Sequence, residues 1–330
     1  MGERILLTGA TSFTGMWIAE ALAAAGFEVI APLRRDRAEY DAERLARIAR
    51  VESVAETPFG VPLGSQAFAD LVRARPGVAA LAHHAADVTG YRDPGFNAAA
   101  AFARNLAGAP EALKLLADRG ARAVVVTGTV FEAGEGQGAD APSAGFADSS
   151  PASPFGDDLA VTPYGLSKTL TSIAFRHHAA WTGLRSGRFV IPSPYGAFEQ
   201  QRSFPAYLFR CWSAGQTPVV RTPLYLRDHL PAPRLGRAYA DYLSAVLSDA
   251  DAPPVARPSG WIATQGAFAE KVAAEAAARL GRDRPVAFAE QTEFAEPLRR
   301  VNSDPAPEEG WDEAGFWDDY VGWYARSDAP

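Results

Sequence analysis

Short apolar runs and helix-period stretches take turns along the first 190 residues of the chain. Ile5-Leu6-Leu7 is the first run, and Ile18, Ala19, Leu22 and Ala23 follow a glycine-bearing turn at helical spacing. Phe27 to Leu33 predicts a second strand, Leu45 to Arg50 a helix, Val51 to Ala55 a third strand and Ala67 to Arg75 another helix. Val78 to Ala82 reads as a strand, a helix carrying Asn105, Leu113, Leu115 and Leu116 follows, and Ala121 to Thr127 is β-rich and apolar. A helix from Pro163 to about Trp181 and a strand from Ser186 to Ile191 complete the series. Strands alternating with helices in this way predict an α/β fold built on an open, doubly wound parallel sheet.

Pro192-Ser193-Pro194-Tyr195-Gly196 breaks regular structure, and the domain boundary is placed there. Residues 1–190 form the predicted first domain and 191–330 a smaller C-terminal lobe, with part of 227–265 free to rejoin the first domain. The lobe carries helical stretches at Pro205–Ala214, Arg237–Leu247 and Phe268–Leu280. Its tail bears Trp311, Phe316, Trp317, Tyr320, Trp323 and Tyr324, a stripe read as packing against the body. From Glu132 to Val161 the chain is rich in Gly, Ser, Pro and Asp, too long for a mere connector, and is read as a substrate cover. Gly134-Glu135-Gly136-Gln137-Gly138 imitates a phosphate loop, but no helix-forming run follows it, so it is set aside.

At 330 residues and 48% apolar, the chain can bury one large core or two modest ones. No apolar stretch approaches a membrane span, and the first strand begins too early for a signal peptide, which leaves the cytoplasm as the expected compartment. Cys211 is the only cysteine; it excludes an intramolecular disulfide and, between Phe209 and Trp212, reads as packing. A net charge of -7 argues against a nucleic-acid partner.

The candidate chemistry sits at the ends of the predicted strands. Thr8-Gly9-Ala10-Thr11-Ser12-Phe13-Thr14-Gly15 joins the first strand to the first helix, where backbone N–H groups can approach a pyrophosphate at a helix N-terminus. The second strand ends in Arg34-Arg35 rather than a carboxylate, and guanidinium groups suit the 2′-phosphate of NADP. NADP is therefore favoured, with NAD as the alternative. His83-His84-Ala85-Ala86 closes another strand with small residues a flat dinucleotide could approach; neighbouring histidines on a strand face opposite ways, so no metal site is expected. Thr127-Gly128-Thr129 lies at the C-terminal end of the next strand, the edge that holds ligands in such sheets. Tyr164 and Lys168 are four apart on one helix face, where an ammonium would pull the phenol's titration towards neutrality and make it an acid/base. No Gly-x-Ser-x-Gly or His-Glu-x-x-His run occurs, which disfavours serine-hydrolase and zinc readings.

Taken in order, these motifs resemble the extended short-chain dehydrogenase/reductases, in the NAD(P)-dependent sugar-nucleotide epimerase/dehydratase branch, over most of the chain. The resemblance implies a Rossmann-like dinucleotide domain and a nucleotide-sugar site in the C-terminal lobe. It implies catalytic roles for Thr127, which would bond the reacting oxygen, for Tyr164 as acid/base, and for Lys168 as ribose contact and phenol activator. The expected cofactor set is Gly9, Thr11, Ser12, Phe13, Thr14, Gly15, Arg34, Arg35, His84, Ala85, Ala86 and Asn105 with Tyr164 and Lys168; Thr129, Ser193 and Arg227 are the expected substrate contacts. Three departures matter. Ser12 replaces the middle motif glycine, Thr127-Gly128-Thr129 replaces the Thr-Asp-Glu run of the 4,6-dehydratases, and Ser193 and Arg188 replace an asparagine and a preceding arginine at the diphosphate. Epimerisation is the leading expectation, ahead of NADPH-dependent keto-sugar reduction and of a non-catalytic dinucleotide sensor or scaffold. A homodimer through the Tyr164 helix, using Leu170, Ile173, Ala174 and Phe175, completes the expectation.

Overall fold

The structure is a computed structural model that describes residues 2–93, 95–136, 160, 162–248 and 251–327. Its first strands are β1 (Arg4–Thr8), β2 (Glu28–Ile30), β3 (Val78–His83), β4 (Ala123–Thr129), β5 (Arg185–Ile191), β6 (Ser193–Tyr195) and β7 (Val219–Val220). The later strands are β8 (Leu226–Pro231), β9 (Val255–Ala256), β10 (Pro258–Ser259), β11 (Trp261–Thr264), β12 (Ala287–Phe288), β13 (Arg299–Arg300) and β14 (Asp304–Pro305). The helices are α1 (Phe13–Ala24), α2 (Ala42–Glu52), α3 (Gln66–Ala74), α4 (Ala98–Leu106), α5 (Ala109–Asp118), α6 (Pro163–Thr182), α7 (Phe204–Ser213), α8 (Ala232–Ser248), α9 (Gln265–Leu280) and α10 (Glu313–Ser327).

Six strands form one sheet in the order β2-β1-β3-β4-β5-β9, every neighbouring pair parallel. This is the expected doubly wound sheet, and the chain reverses its direction of travel between β1 and β3. Ile5, Leu7, Ala80 and Val125 turn to one face and join Met16, Ile18, Leu22, Leu235 and Leu243 of α1 and α8. Leu6, Leu81, Val124 and Val126 turn to the other and meet Phe68, Leu113, Leu116 and Phe175 of α3, α5 and α6. Burying each such side chain contributes about 1.5–3 kcal/mol, so alternation along the strands commits the chain to helices on both faces.

The third strand expected at Val51–Ala55 does not form. Val51 lies one helical turn after Ile48, both are buried, and α2 continues through Glu52 on that face. Residues 56–61 run beside the chain after β2 instead: Ala31 and Leu33 donate their N–H groups to Glu56 and Pro58 carbonyls at 2.7 and 2.8 Å. Residues 137–159 and 161, most of the expected substrate cover and the end of the glycine-rich decoy, lie outside the described residues.

In the C-terminal half, β8 is flanked by β11 and β13 and also pairs with β6. A third core gathers Tyr195, Phe209, Trp212, Phe268, Phe316, Trp317 and Tyr320, so the aromatic tail packs inward as read from the sequence. Two later segments reach back across residue 190: α8 packs on α1 so closely that a Cβ on Gly236 would lie 2.5 Å from the Trp17 carbonyl, and β9 extends the main sheet. No described helix is long and apolar enough to cross a membrane.

The last helix is clasped by Glu199, whose Oε1 accepts hydroxyl hydrogen bonds from both Tyr320 and Tyr324 at 2.5 Å. Burial pushes this carboxyl up to about 7, with the tyrosine hydroxyls opposing the rise. Because the folded-state pKa exceeds the ordinary 4.5, the proton is bound more tightly in the folded protein. Its stabilising share is complete below pH 4.5 and is lost as pH rises through 7. Glu199→Gln is therefore expected to exceed the parent in stability at pH 8 by roughly 3 kcal/mol and to match it near pH 4.5. Urea unfolding at both pH values checks this, and parallel profiles refute it.

Candidate active site

At the reversal point β1 ends in Gly9, whose φ of +78° suits glycine. A Cβ there would lie 2.7 Å from the Ala85 nitrogen and 2.9 Å from the His84 carbonyl carbon, so the turn meets the end of β3 backbone to backbone. A Cβ on Gly15 would come within 2.2 Å of the Gly9 oxygen. Ser12 caps α1: its Oγ accepts from Gly15 N–H at 3.0 Å and donates to the Gly9 carbonyl at 2.9 Å. Ser12 is thus part of the turn, and among the described residues the N–H groups of Phe13 and Thr14 have no partner at the positive end of the helix. Thr11 and Ala86 are half-buried along the same edge.

The two histidines do face opposite ways. His83 places Nδ1 3.0 Å from Thr8 Oγ1 and stacks on Phe175 at 4.3 Å. His84 places Nε2 2.9 Å from Thr14 Oγ1 and 3.0 Å from Ser12 Oγ, and Nδ1 3.0 Å from Thr127 Oγ1. Burial first, then the Lys168 charge, pulls both down to about 3, so both rings are neutral. Asn105 has both ends of its amide engaged: Oδ1 accepts from Asp87 N–H at 2.7 Å and Nδ2 donates to Thr171 at 3.2 Å, tying α4 to α6. The Arg34 and Arg35 guanidinium groups are exposed and make no hydrogen bond or ion pair among the described residues.

Thr162 caps α6, and a Cβ on Gly165 would lie 1.9 Å from the Phe131 oxygen, which presses the helix start against the exit of β4. Tyr164 is enclosed by Tyr91, Phe131 and Phe96, with ring centroids at 5.1, 5.8 and 6.0 Å. Lys168 is buried and donates to the Thr127 carbonyl at 2.7 Å. Burial, then Tyr91 and Glu132, push the Tyr164 phenol above its usual value, while burial lowers Lys168 with Glu132 opposing.

α6 returns between parallel β4 and β5 and so runs against them. One helical step of four residues spans about 6 Å and two strand residues about 6.6 Å. Thr127 and Thr129 are two residues apart on one face of β4, a spacing close to the Tyr164–Lys168 step on α6, and Thr129 is nearer the sheet's rim. Thr129 N–H donates to Glu132 Oε1 at 2.9 Å. Glu132 Oε2 accepts from Ser172 at 2.9 Å and from Arg188 at 3.0 Å. Arg188 also pairs with Glu135, which holds Arg257 at 2.7 and 3.0 Å. Arg188 is therefore committed inward. Gly128 makes room for this network, since a Cβ there would lie 2.7 Å from Glu132 Oε1.

On the lobe side, Arg227 donates to the Leu226, Pro297 and Leu298 carbonyls and to Glu296, and lies 4.6 Å from the Tyr225 ring centroid. Burial, then Arg300, lowers it to about 10. Ser193 is half-buried beside His229. Sequence reasoning missed Arg300, which is buried, lies 4.0 Å from the Phe131 ring centroid, bonds Glu296 at 2.6 Å and leaves Nη2 without a partner. It also missed the aromatic enclosure. Neither has a spacing signal, because these residues meet only through the fold. Among the described residues no group of three or more His, Cys, Asp or Glu side chains could hold a metal ion.

The sequence profile of the NAD dependent epimerase/dehydratase family matches residues 5–243. The chain belongs to that family, and the protein is an enzyme of the extended short-chain dehydrogenase/reductase type. Among solved structures it is similar to UDP-N-acetylglucosamine 4-epimerase from Methanobrevibacter ruminantium M1, in complex with UDP-N-acetylmuramic acid, with a TM-score of 0.72 at 13% identity over 99% of each chain. It is similar to UDP-glucuronic acid 4-epimerase from Bacillus cereus, in complex with UDP-glucuronic acid and NAD, at TM-score 0.68 and 13% identity, covering 98% of this chain and 99% of that one. DesIV, the dTDP-glucose 4,6-dehydratase from Streptomyces venezuelae with NAD and TYD bound, gives 0.67 at 19% identity, covering 98% and 97%. No curated protein sequence matches the chain.

The fit between Gly128 and Glu132 has a measurable consequence. Gly128→Ala is expected to destabilise the protein by roughly 1–3 kcal/mol through overpacking. The loss should shrink in a background carrying Glu132→Ala, because the two substitutions share one space. Denaturant unfolding of the four proteins in the cycle checks this, and additive losses refute it.

Proposed function

We propose that the protein is an NAD(P)-dependent sugar-nucleotide epimerase that transfers a hydride reversibly at a carbinol carbon through a keto intermediate. The observation that carries this reading is the linkage, at the C-terminal rim of one parallel sheet, of the start of α1 to Lys168 of α6 through the His84 ring and Thr127. These residues suit a dinucleotide: the turn offers its N–H donors to a pyrophosphate, and the small Ala85 and Ala86 line the same crevice. When bound, the nicotinamide supplies the hydride acceptor and donor.

The protein's own groups then divide the work. Tyr164 takes the carbinol proton as its phenolate and returns it as the phenol; in the ligand-free protein burial holds the proton on the phenol, and the positive charge of an oxidised nicotinamide, when bound, would favour its release. Thr129, nearer the rim than Thr127 on the same strand face, bonds the reacting oxygen in the role first expected of Thr127, whose hydroxyl faces the His84 ring. Lys168 holds the Thr127 carbonyl and faces the cofactor ribose. Arg300, with its unpaired Nη2, and Arg227 behind it supply positive charge for a nucleotide diphosphate held by the lobe after residue 190. The similar epimerases, solved with UDP-sugars, support that substrate class.

A second reading, NADPH-dependent reduction of a nucleotide-linked keto-sugar, is favoured by the unpaired Arg34 and Arg35, which suit a 2′-phosphate. The family description names NAD. Tyr164→Phe should keep dinucleotide affinity and lower turnover by about 10²-fold or more, and Thr129→Val should lower it further than Thr127→Val does. Calorimetry with NAD and NADP, followed by assays with UDP- and dTDP-sugars, checks this. Unchanged turnover in Tyr164→Phe defeats the acid/base assignment, and stoichiometric NADPH loss without epimer formation moves the reading to a reductase.

The same proposal includes a homodimer through the outer face of α6, where Leu166, Leu170 and Ile173 are exposed. Phe175, expected on that face, is instead fully buried against His83. Light scattering should give the mass of two chains, and that of one chain with Ile173→Asp; a monomeric parent removes this part.

A further inference from the structure

His84 is a half-buried polar side chain whose two ring nitrogens reach different parts of the site. Nε2 faces the oxygens of Ser12 and Thr14 on the glycine turn, at 3.0 and 2.9 Å. Nδ1 faces Thr127 Oγ1 at 3.0 Å, and the Thr127 carbonyl is the acceptor for Lys168. We propose that His84 is a positioning residue that couples the pyrophosphate-binding turn to Lys168, so that occupation of the turn and placement of the Tyr164 helix favour one another. This rests on the dinucleotide reading above.

The hydrogen-bond directions follow from the neighbours. Ser12 has one hydroxyl proton, and it goes to the Gly9 carbonyl, while its oxygen already accepts from Gly15 N–H. Towards His84 that oxygen offers only lone pairs, so Nε2 carries the ring proton. Nδ1 is then the acceptor, and the Thr127 hydroxyl donates into it. A second proton on the ring would be buried beside Lys168 and is excluded by that charge and by desolvation. The Thr127 proton is thus spent inside the protein, which agrees with Thr129 as the hydroxyl facing the substrate. Nothing else among the described contacts links α1 to β4 by side-chain hydrogen bonds in this crevice, so the coupling has one route through polar groups.

The test is a double-mutant cycle read by dinucleotide Kd. Thr14→Val and Thr127→Val keep side-chain volume and remove one hydroxyl at each end of the ring. In the parent their combined effect on Kd for NAD or NADP should depart from the product of the single effects by roughly threefold or more. With His84→Leu, or with His84→Gln should the leucine variant unfold, the departure should vanish. Nitrogen NMR of the labelled histidines gives an independent readout: His84 should stay neutral with its proton on Nε2 from pH 5 to pH 8. Multiplicative effects in the parent, or a ring protonated on Nδ1, overturn the coupling while leaving the dinucleotide reading standing. Absence of dinucleotide binding by the parent overturns both.

Discussion

Between β1 and β3 the backbone of Gly9 lies so near the backbone of His84 and Ala85 that neither a side chain nor a water layer fits between them. That approach sets the distance from the first unpaired donors of α1 to the end of β3, and it brings the Ser12 and Thr14 hydroxyls onto the His84 ring. The remaining geometry follows along the sheet. The register of β3 with β4 sets Thr127 opposite the crevice, and the parallel pairing of β4 with β5 fixes the course of α6, hence the height of Lys168 and Tyr164.

The polar groups of the site are arranged by desolvation more than by attraction. Two histidines are held neutral, a lysine is lowered and a phenol is raised, each with burial as the first cause. Charge is kept where it can be matched: Glu132 and Glu135 share Arg188, and Glu135 also takes Arg257. Arg227 and Arg300 share Glu296. Removing Arg188 would leave the buried Glu132 and Glu135 carboxylates short of a partner, whereas the intact network ties the β4 exit to α6 and β5.

Much of this architecture is legible in the chain because strand and helix periods differ and the central strands β1, β3 and β4 are buried on both faces. The glycine turn was legible because only glycine tolerates φ of +78° at a backbone contact. The third strand was misplaced because Ile48 and Val51 suit a helix face as well as a strand. Which of Thr127 and Thr129 serves the reacting oxygen is not legible in the chain, because both are hydroxyls on one strand face. The enclosure of Tyr164 by Tyr91, Phe96 and Phe131, and the position of Arg300 over Phe131, join segments far apart in the sequence and leave no periodic trace.

The space between Gly128 and Glu132 also bears on how this chain can change over generations. An acid pair of the dehydratase kind would need a carboxylate at residue 128, and its first carbon would collide with an existing carboxylate oxygen. The like charges would add to the clash. Glu132 would have to be lost first, and that loss strips Arg188 of one of its two partners before any benefit accrues. A carboxylate at residue 128 is thus coupled sterically and electrostatically to the fate of Glu132 through a single contact.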